Sequence, residues 1–153
     1  MIGLLQRVCS AQISINSNII ASIDVGLLVL IGIEKGDTHQ QADRLLDKLL
    51  GYRVFPDKDG KMNLSLSEVN GGLLLVPQFT LPADTKKGMR PSFSSAATPE
   101  SGKKLFEYLL SSAKQKYAIV DSGHFGTDMQ VSLTNDGPVT FWLQIPPDKK
   151  TRD

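Results

Sequence analysis

The chain has 153 residues, 41% of them hydrophobic and 22% charged, with a net charge of +1. That balance fits one globular domain with a sizeable core and excludes both a disordered chain and a polyelectrolyte that binds nucleic acid through its overall field. A single cysteine, Cys9, rules out an internal disulfide framework, and no apolar run approaches the about 20 residues that a membrane-spanning helix needs.

The opening Met-Ile-Gly-Leu-Leu-Gln-Arg-Val has neither a basic start nor a long apolar stretch, so no secretory signal is read and a cytoplasmic location is expected. Residues 2–9 alternate as a strand, with Arg7 on a face it shares with apolar neighbours; such an arginine ordinarily snorkels at a strand end. Ala11–Ile15 and Asn18–Ile23 read as a hairpin around Asn16-Ser17. After Gly26, Leu27–Ile31 is a continuous apolar run, typical of a strand covered on both faces. Asp37 or Thr38 can cap a helix, with Gln40 three residues after Asp37 as a capping-box partner, and Ala42, Leu45, Leu46, Leu49 and Leu50 follow at helical spacing. Tyr52–Phe55 is a short strand candidate, Pro56–Gly60 is turn chemistry, and Asn63–Asn70 shows no period. Leu73–Val76 is a second buried strand, stopped by Pro77. Val76 and Leu81 both precede prolines and are pushed toward extended backbone. A polar connection, Ala83–Ala97, carries Lys86, Lys87 and Arg90. Thr98-Pro99 opens a second helix whose apolar face is Leu105, Phe106, Leu109, Leu110 and Ala113. The pattern predicts one α/β domain over residues 1–145, mostly strands with two substantial helices, and a polar tail over 146–153.

Near the end, Met129–Thr134 and Val139–Ile145 alternate like two strands flanking Asn135-Asp136-Gly137-Pro138. The asparagine, aspartate and glycine are strong turn formers, but Pro138 removes a ladder donor where the return strand of a plain hairpin would begin. One reading is a rigid surface turn; the other is a stiff element whose carbonyls are aimed at a ligand. Other chemistry is poorly supported. His39 and His124 have no metal-ligand spacing, no G-x-S-x-G elbow is present, and Gly71-Gly72 precedes a strand where a phosphate loop would follow one. No metal is expected.

Gln78-Phe79-Thr80-Leu81 and Asn135-Asp136-Gly137-Pro138-Val139-Thr140 together resemble the two signature motifs of the D-aminoacyl-tRNA deacylases. The resemblance runs from Met1 to about Ile145 and includes Gln6-Arg7-Val8, Gly51-Tyr52-Arg53, Gly60-Lys61-Met62-Asn63, Gly88–Phe93 and Asp128–Leu133. It implies a hydrolase of carboxylic esters that cleaves a D-amino acid, or glycine, from the 3′ end of tRNA. It also implies a compact barrel-like β-sheet domain working as a homodimer, without cofactor, on aminoacylated tRNA and not on DNA or at a membrane. Gln78, Phe79 and Thr80 are then the catalytic segment, with backbone amides as oxyanion donors. Gly137-Pro138 becomes a cis peptide that enters the partner subunit and turns L-amino acids away, with Arg7 holding that loop across the dimer. Phe125, Met129 and Asn135 join them as expected substrate-binding positions, and Lys86, Lys87 and Arg90 as the expected tRNA contact. The chain departs from the family at Pro77, where serine is usual, which opens the alternative of relaxed selectivity. The rivals are a tRNA-binding module without catalysis and an esterase or peptidase of small D-configured substrates.

Overall fold

The computed structural model describes residues 1–149; residues 150–153 of the expected tail lie outside the described residues. In chain order the elements are β1 (Ile2–Ile15), β2 (Asn18–Ile23), β3 (Gly26–Gly32), α1 (His39–Gly51), β4 (Phe55–Pro56), β5 (Met62–Leu64), α2 (Leu66–Val69), β6 (Gly72–Pro77), α3 (Pro99–Lys116), β7 (Val120–Ser122) and β8 (Gln130–Gln144).

The long strand β1 is the spine. Along one edge, β2 and β3 lie end to end and antiparallel to it, from Ile15 opposite Asn18 to Ile2 opposite Gly32. Along the other edge runs β8, also antiparallel. Beyond β3 come β6 and then β7, both parallel to their neighbours, because α1 and α3 provide the crossovers that parallel pairing requires. The sheet curls until its ends nearly meet: the Ser22 amide at the end of β2 donates to Asp121 Oδ2 of β7 at 3.2 Å. Where β2 gives way to β3 the backbones crowd, and a Cβ on Gly26 would overlap the Gly72 carbonyl. The result is a barrel-like α/β domain, as expected.

Curling gives the sheet two apolar sides, which explains the unbroken hydrophobic runs of β3 and β6. Leu27, Val29, Ile31, Leu73 and Leu75 face α1 and α3, where Leu45, Leu49, Phe106 and Leu109 complete the main core. Leu28, Leu74 and Val76 point the other way, into a smaller cluster with Val8, Ile13 and Ile23.

Three local expectations change. The cap of α1 is Thr38, and its box partner is Gln41, whose Oε1 accepts from the Thr38 amide at 2.8 Å. Asp37 is committed elsewhere: it accepts from the Met1 amine (2.7 Å) and the Glu34 amide (2.7 Å). Burial pushes the Asp37 carboxyl above its ordinary range despite that amine beside it. The unpatterned stretch after Asn63 contains the short helix α2, boxed by Ser65 and Glu68, so the described residues form three helices and not only the two long ones. Finally, the two runs around Gly137-Pro138 are not a hairpin. Both belong to β8, pair with the same strand and continue in one direction, with the turn chemistry bulging out between them.

Candidate functional site

The bulge is large. Gln6 faces Thr140 and Val8 faces Asn135, so two residues of advance on β1 are matched by five on β8. The excess chain, Asp136-Gly137-Pro138, is exposed, and the Gly137–Pro138 bond is cis. Gly137 has a φ of +134°, and a Cβ there would lie 2.6 Å from Val139 Cγ2. Asn135 braces the loop from inside: its Oδ1 accepts from the Val139 amide and its Nδ2 donates to Thr140 Oγ1, each at 2.9 Å.

Arg7 braces it from below. It does not snorkel at a strand end; it is buried at mid-strand, 8% exposed. Its Nη1 donates to the Val54 carbonyl at 2.6 Å and its Nε to the Asp136 carbonyl at 3.1 Å, with Asp136 Oδ2 3.5 Å away. A cation taken out of water needs such partners, and carbonyl oxygens with one carboxylate supply them. Arg7 therefore grips the loop of its own chain.

Gln78–Leu81 lies beyond the end of β6. The expected extended segment is instead two overlapping turns, closed by Leu81 N–H to Gln78 O (3.3 Å) and Ala83 N–H to Thr80 O (3.1 Å). The prolines at 77 and 82 frame these turns without straightening them. The Gln78 amide is spent on the Ile31 carbonyl at 2.8 Å. Among the described residues, the Phe79 and Thr80 amides have no protein acceptor. Gln78 Nε2 donates to Thr80 Oγ1, and both Phe79 and Thr80 are exposed.

These two adjacent residues open onto different spaces. Phe79 lines an apolar cavity of about 500 Å³ with Phe93, Phe125, Pro77 and Pro99, and the Phe79 and Phe93 rings stand 5.3 Å apart. Thr80 lines a second groove of about 550 Å³, walled by Trp142, Asp84, Lys86 and Ser95. Neither Trp142 nor Phe93 stood out in the sequence as a site residue; their signal is exposure of a large ring beside the motif, which only the fold provides.

The expected site residues divide into two groups. Phe125 joins Phe79 in the apolar cavity, and Lys86 reaches the Thr80 groove, while Lys87 and Arg90 lie farther along the same exposed connection. That connection is pinned by reciprocal backbone bonds between Asp84 and Ser92. Met129 packs on Gly123 and the smaller core cluster. Gly137, Pro138, Asn135 and Arg7 gather at the bulge. Val8, beside the bulge, pairs with Gly26 at the start of β3, whereas Gln78 bonds Ile31 five residues farther on. At about 3.3 Å per residue that register offset is roughly 16 Å at Asn135 and roughly 10 Å at Thr140, whose partner Gln6 faces Leu28. Among the described residues no three His, Cys, Asp or Glu side chains converge as metal ligands would, and no helix is long and apolar enough to cross a membrane.

Residues 4–144 match the family model described as D-Tyr-tRNA(Tyr) deacylase. The chain is 63% identical over 145 residues to a Pseudomonas putida protein named D-aminoacyl-tRNA deacylase, covering 95% of this chain and all of that one. A Nitrosococcus oceani protein of the same name is 60% identical over 151 residues, 99% of this chain and 97% of its own. Among solved structures, one titled c-Myc DNA Unwinding Element Binding Protein superposes with a TM-score of 0.92 at 34% identity, over 95% of this chain and 99% of its own. Another, titled as a probable eukaryotic D-amino acid tRNA deacylase, does so at 0.83 and 18% identity, over 94% and 98%, and shares the fold.

Proposed function

Because the chain belongs to the D-Tyr-tRNA(Tyr) deacylase family, we propose that it hydrolyses the ester joining a D-amino acid to the 3′-terminal adenosine of tRNA, in the cytoplasm and as a homodimer. The observation that carries the reading is the pair of unclaimed amides at Phe79 and Thr80 beside a cavity walled by aromatic rings. A flat purine stacks well in such a cavity, which leaves the ester carbonyl beside the two N–H groups. Water attacks that carbonyl; the charge that develops on its oxygen is received by the Phe79 and Thr80 amides, and the ribose oxygen departs as a hydroxyl. Fixed donors of this kind contribute about 3 kcal/mol each to an acyl-transfer barrier, enough for an ester that is already activated.

Thr80 is a poor nucleophile in this arrangement. A nucleophilic hydroxyl needs a neighbour that takes its proton, and the neighbour of Thr80 Oγ1 is the Gln78 amide, a donor. The vicinal hydroxyl of the terminal ribose is a better assistant to the water.

The bulge is the chiral filter. In the dimer, Gly137 and Pro138 of a second copy reach the Thr80 segment, from which the register of their own chain offsets them by roughly 10–16 Å along the strand. Their carbonyls occupy the direction in which every L side chain would leave the α-carbon. Glycine has no side chain to reject, so glycyl-tRNA is also hydrolysed. Pro77 removes a hydroxyl and an N–H from the edge of the site, where it lines the aromatic cavity; the Phe79 and Thr80 amides remain, which favours retained D-selectivity.

Deacylation of D-Tyr-tRNA, L-Tyr-tRNA and D-Tyr ethyl ester separates this reading from its rivals. We expect turnover of the first alone. Binding without turnover would mark an RNA-binding module, and equal turnover of the ethyl ester would mark a small-molecule esterase. Since one solved relative is titled as a DNA-binding protein, single-stranded DNA belongs in the assay as a competitor, and it should not slow the reaction at concentrations matched to tRNA.

A further inference from the structure

Phe79 and Thr80 divide two spaces, and the substrate has parts on both sides of its ester. Resting on the assignment of the aromatic cavity to the terminal base, we propose that the groove between Thr80 and Trp142 receives the aminoacyl group, and that Trp142 ranks the amino acids accepted. An aminoacyl ester is linear in its parts: base and ribose, then ester, then acyl group. With the base on the Phe79 side and the ester at Thr80, the part that continues past Thr80 is the acyl group. The groove beyond it is open and holds about 550 Å³, room for the largest side chains without a fitted wall.

Trp142 stands in β8 opposite Leu4 and is 52% exposed, which is unusual for the one tryptophan of the chain. A broad indole face gains contact in proportion to the apolar area laid on it and demands no particular shape. It therefore favours large apolar and aromatic side chains over small ones while excluding none. Of the charged groups at the groove, Lys86 belongs with the expected tRNA contact, and the two carboxylates suit an amino acid. Glu34 at the groove is already taken by the Met1 amine and Gln144 Nε2. Asp84 remains to face an α-ammonium, using one carboxylate oxygen on the Lys86 amide.

The test uses one tRNA charged chemically with D-Tyr or with D-Ala, and compares kcat/KM for the two on wild type, Trp142→Ala and Trp142→Phe. The preference for D-Tyr over D-Ala should fall about tenfold in Trp142→Ala, the scale on which apolar contacts discriminate, and should be largely restored in Trp142→Phe. Equal losses on both substrates would make Trp142 a structural or subunit-contact residue and overturn the proposal, as would an unchanged ratio. If Trp142→Ala does not fold, Trp142→Leu against Trp142→Phe carries the same comparison. Wild-type protein that hydrolyses neither substrate would overturn the deacylase reading itself, before any variant is compared.

Discussion

Arg7 and Thr80 show how much a single residue can conceal. The sequence placed Arg7 among apolar neighbours and correctly on a strand, but a snorkelling arginine and a buried one look alike until the Val54 and Asp136 carbonyls are known to meet it. Both come from distant chain, 47 and 129 residues away. Arg7→Met keeps the stem and deletes the donors, leaving a buried carbonyl without its partner, at a cost of about 1–3 kcal/mol. Urea unfolding should show that loss, and D-Tyr-tRNA turnover should fall further than stability alone explains, because the bulge loses its anchor. If turnover per folded molecule stays at the wild-type level, Arg7 is a stability residue only. For Thr80, the segment was legible and its geometry was not. Thr80→Ala removes a hydroxyl but keeps the backbone N–H, so kcat should drop less than about tenfold, well short of the 10²–10³ that follows removal of an oxyanion donor. Abolished activity together with a trappable acyl-enzyme in wild type would make Thr80 the nucleophile after all.

Among the elements, those with a strong period or a local cap were readable, and those defined by a distant partner were not. β3, β6, α1 and α3 stand where their apolar patterns put them. The runs on either side of Gly137-Pro138 have the alternation of strands, but alternation cannot say whether two runs pair with each other or both with a third; here both pair with β1. The helix α2 has the capping-box spacing in Ser65-Leu66-Ser67-Glu68, but its four residues are too few to show a period. The turn between β4 and β5 has its own internal lock. The carboxylate of Asp57 accepts from Asn63 Nδ2 and from the Asp59 and Lys61 amides, and the Asn63 bond above all holds it below the ordinary carboxylate range. A lowered folded value means that Asp57 supports the turn above its unfolded value of 3.8 and ceases to do so as pH falls through the folded one. Amide exchange at Lys61, corrected for its intrinsic pH dependence, should therefore show protection lost in acid below that range. Asp57→Ala should show little protection at any pH. A wild-type profile as flat as the variant's would remove Asp57 from the role.

For the molecule as a whole, the fold class followed from composition and pattern, while the completeness of the site did not. The two signature motifs are both present in one chain, yet the register offsets them along the strand, and their presence in one sequence says nothing about which subunit supplies each. Symmetric pairing is the usual form for a soluble assembly, and it would place two copies of the bulge against two copies of the Thr80 segment. Sedimentation at micromolar concentration should give a homodimer. Mixing an Arg7→Met chain with a Thr80-segment deletion chain should regain activity at one of the two sites. A fully active monomer would confine the site to a single chain.

The spine arrangement has a bearing on synthesis. Among the described residues β8 is made last and pairs with β1, made first, so the sheet is closed by a contact of very long range, with Ile2 waiting for Gln144. Contacts of that range form late and slowly. Until they form, one side of a 14-residue strand carries unpaired backbone groups, the kind of edge that recruits other chains. A nascent chain stalled before residue 130 should therefore be the aggregation-prone species. A synthetic peptide of residues 130–144, supplied to such a truncated chain, should suppress that aggregation by taking the vacant edge.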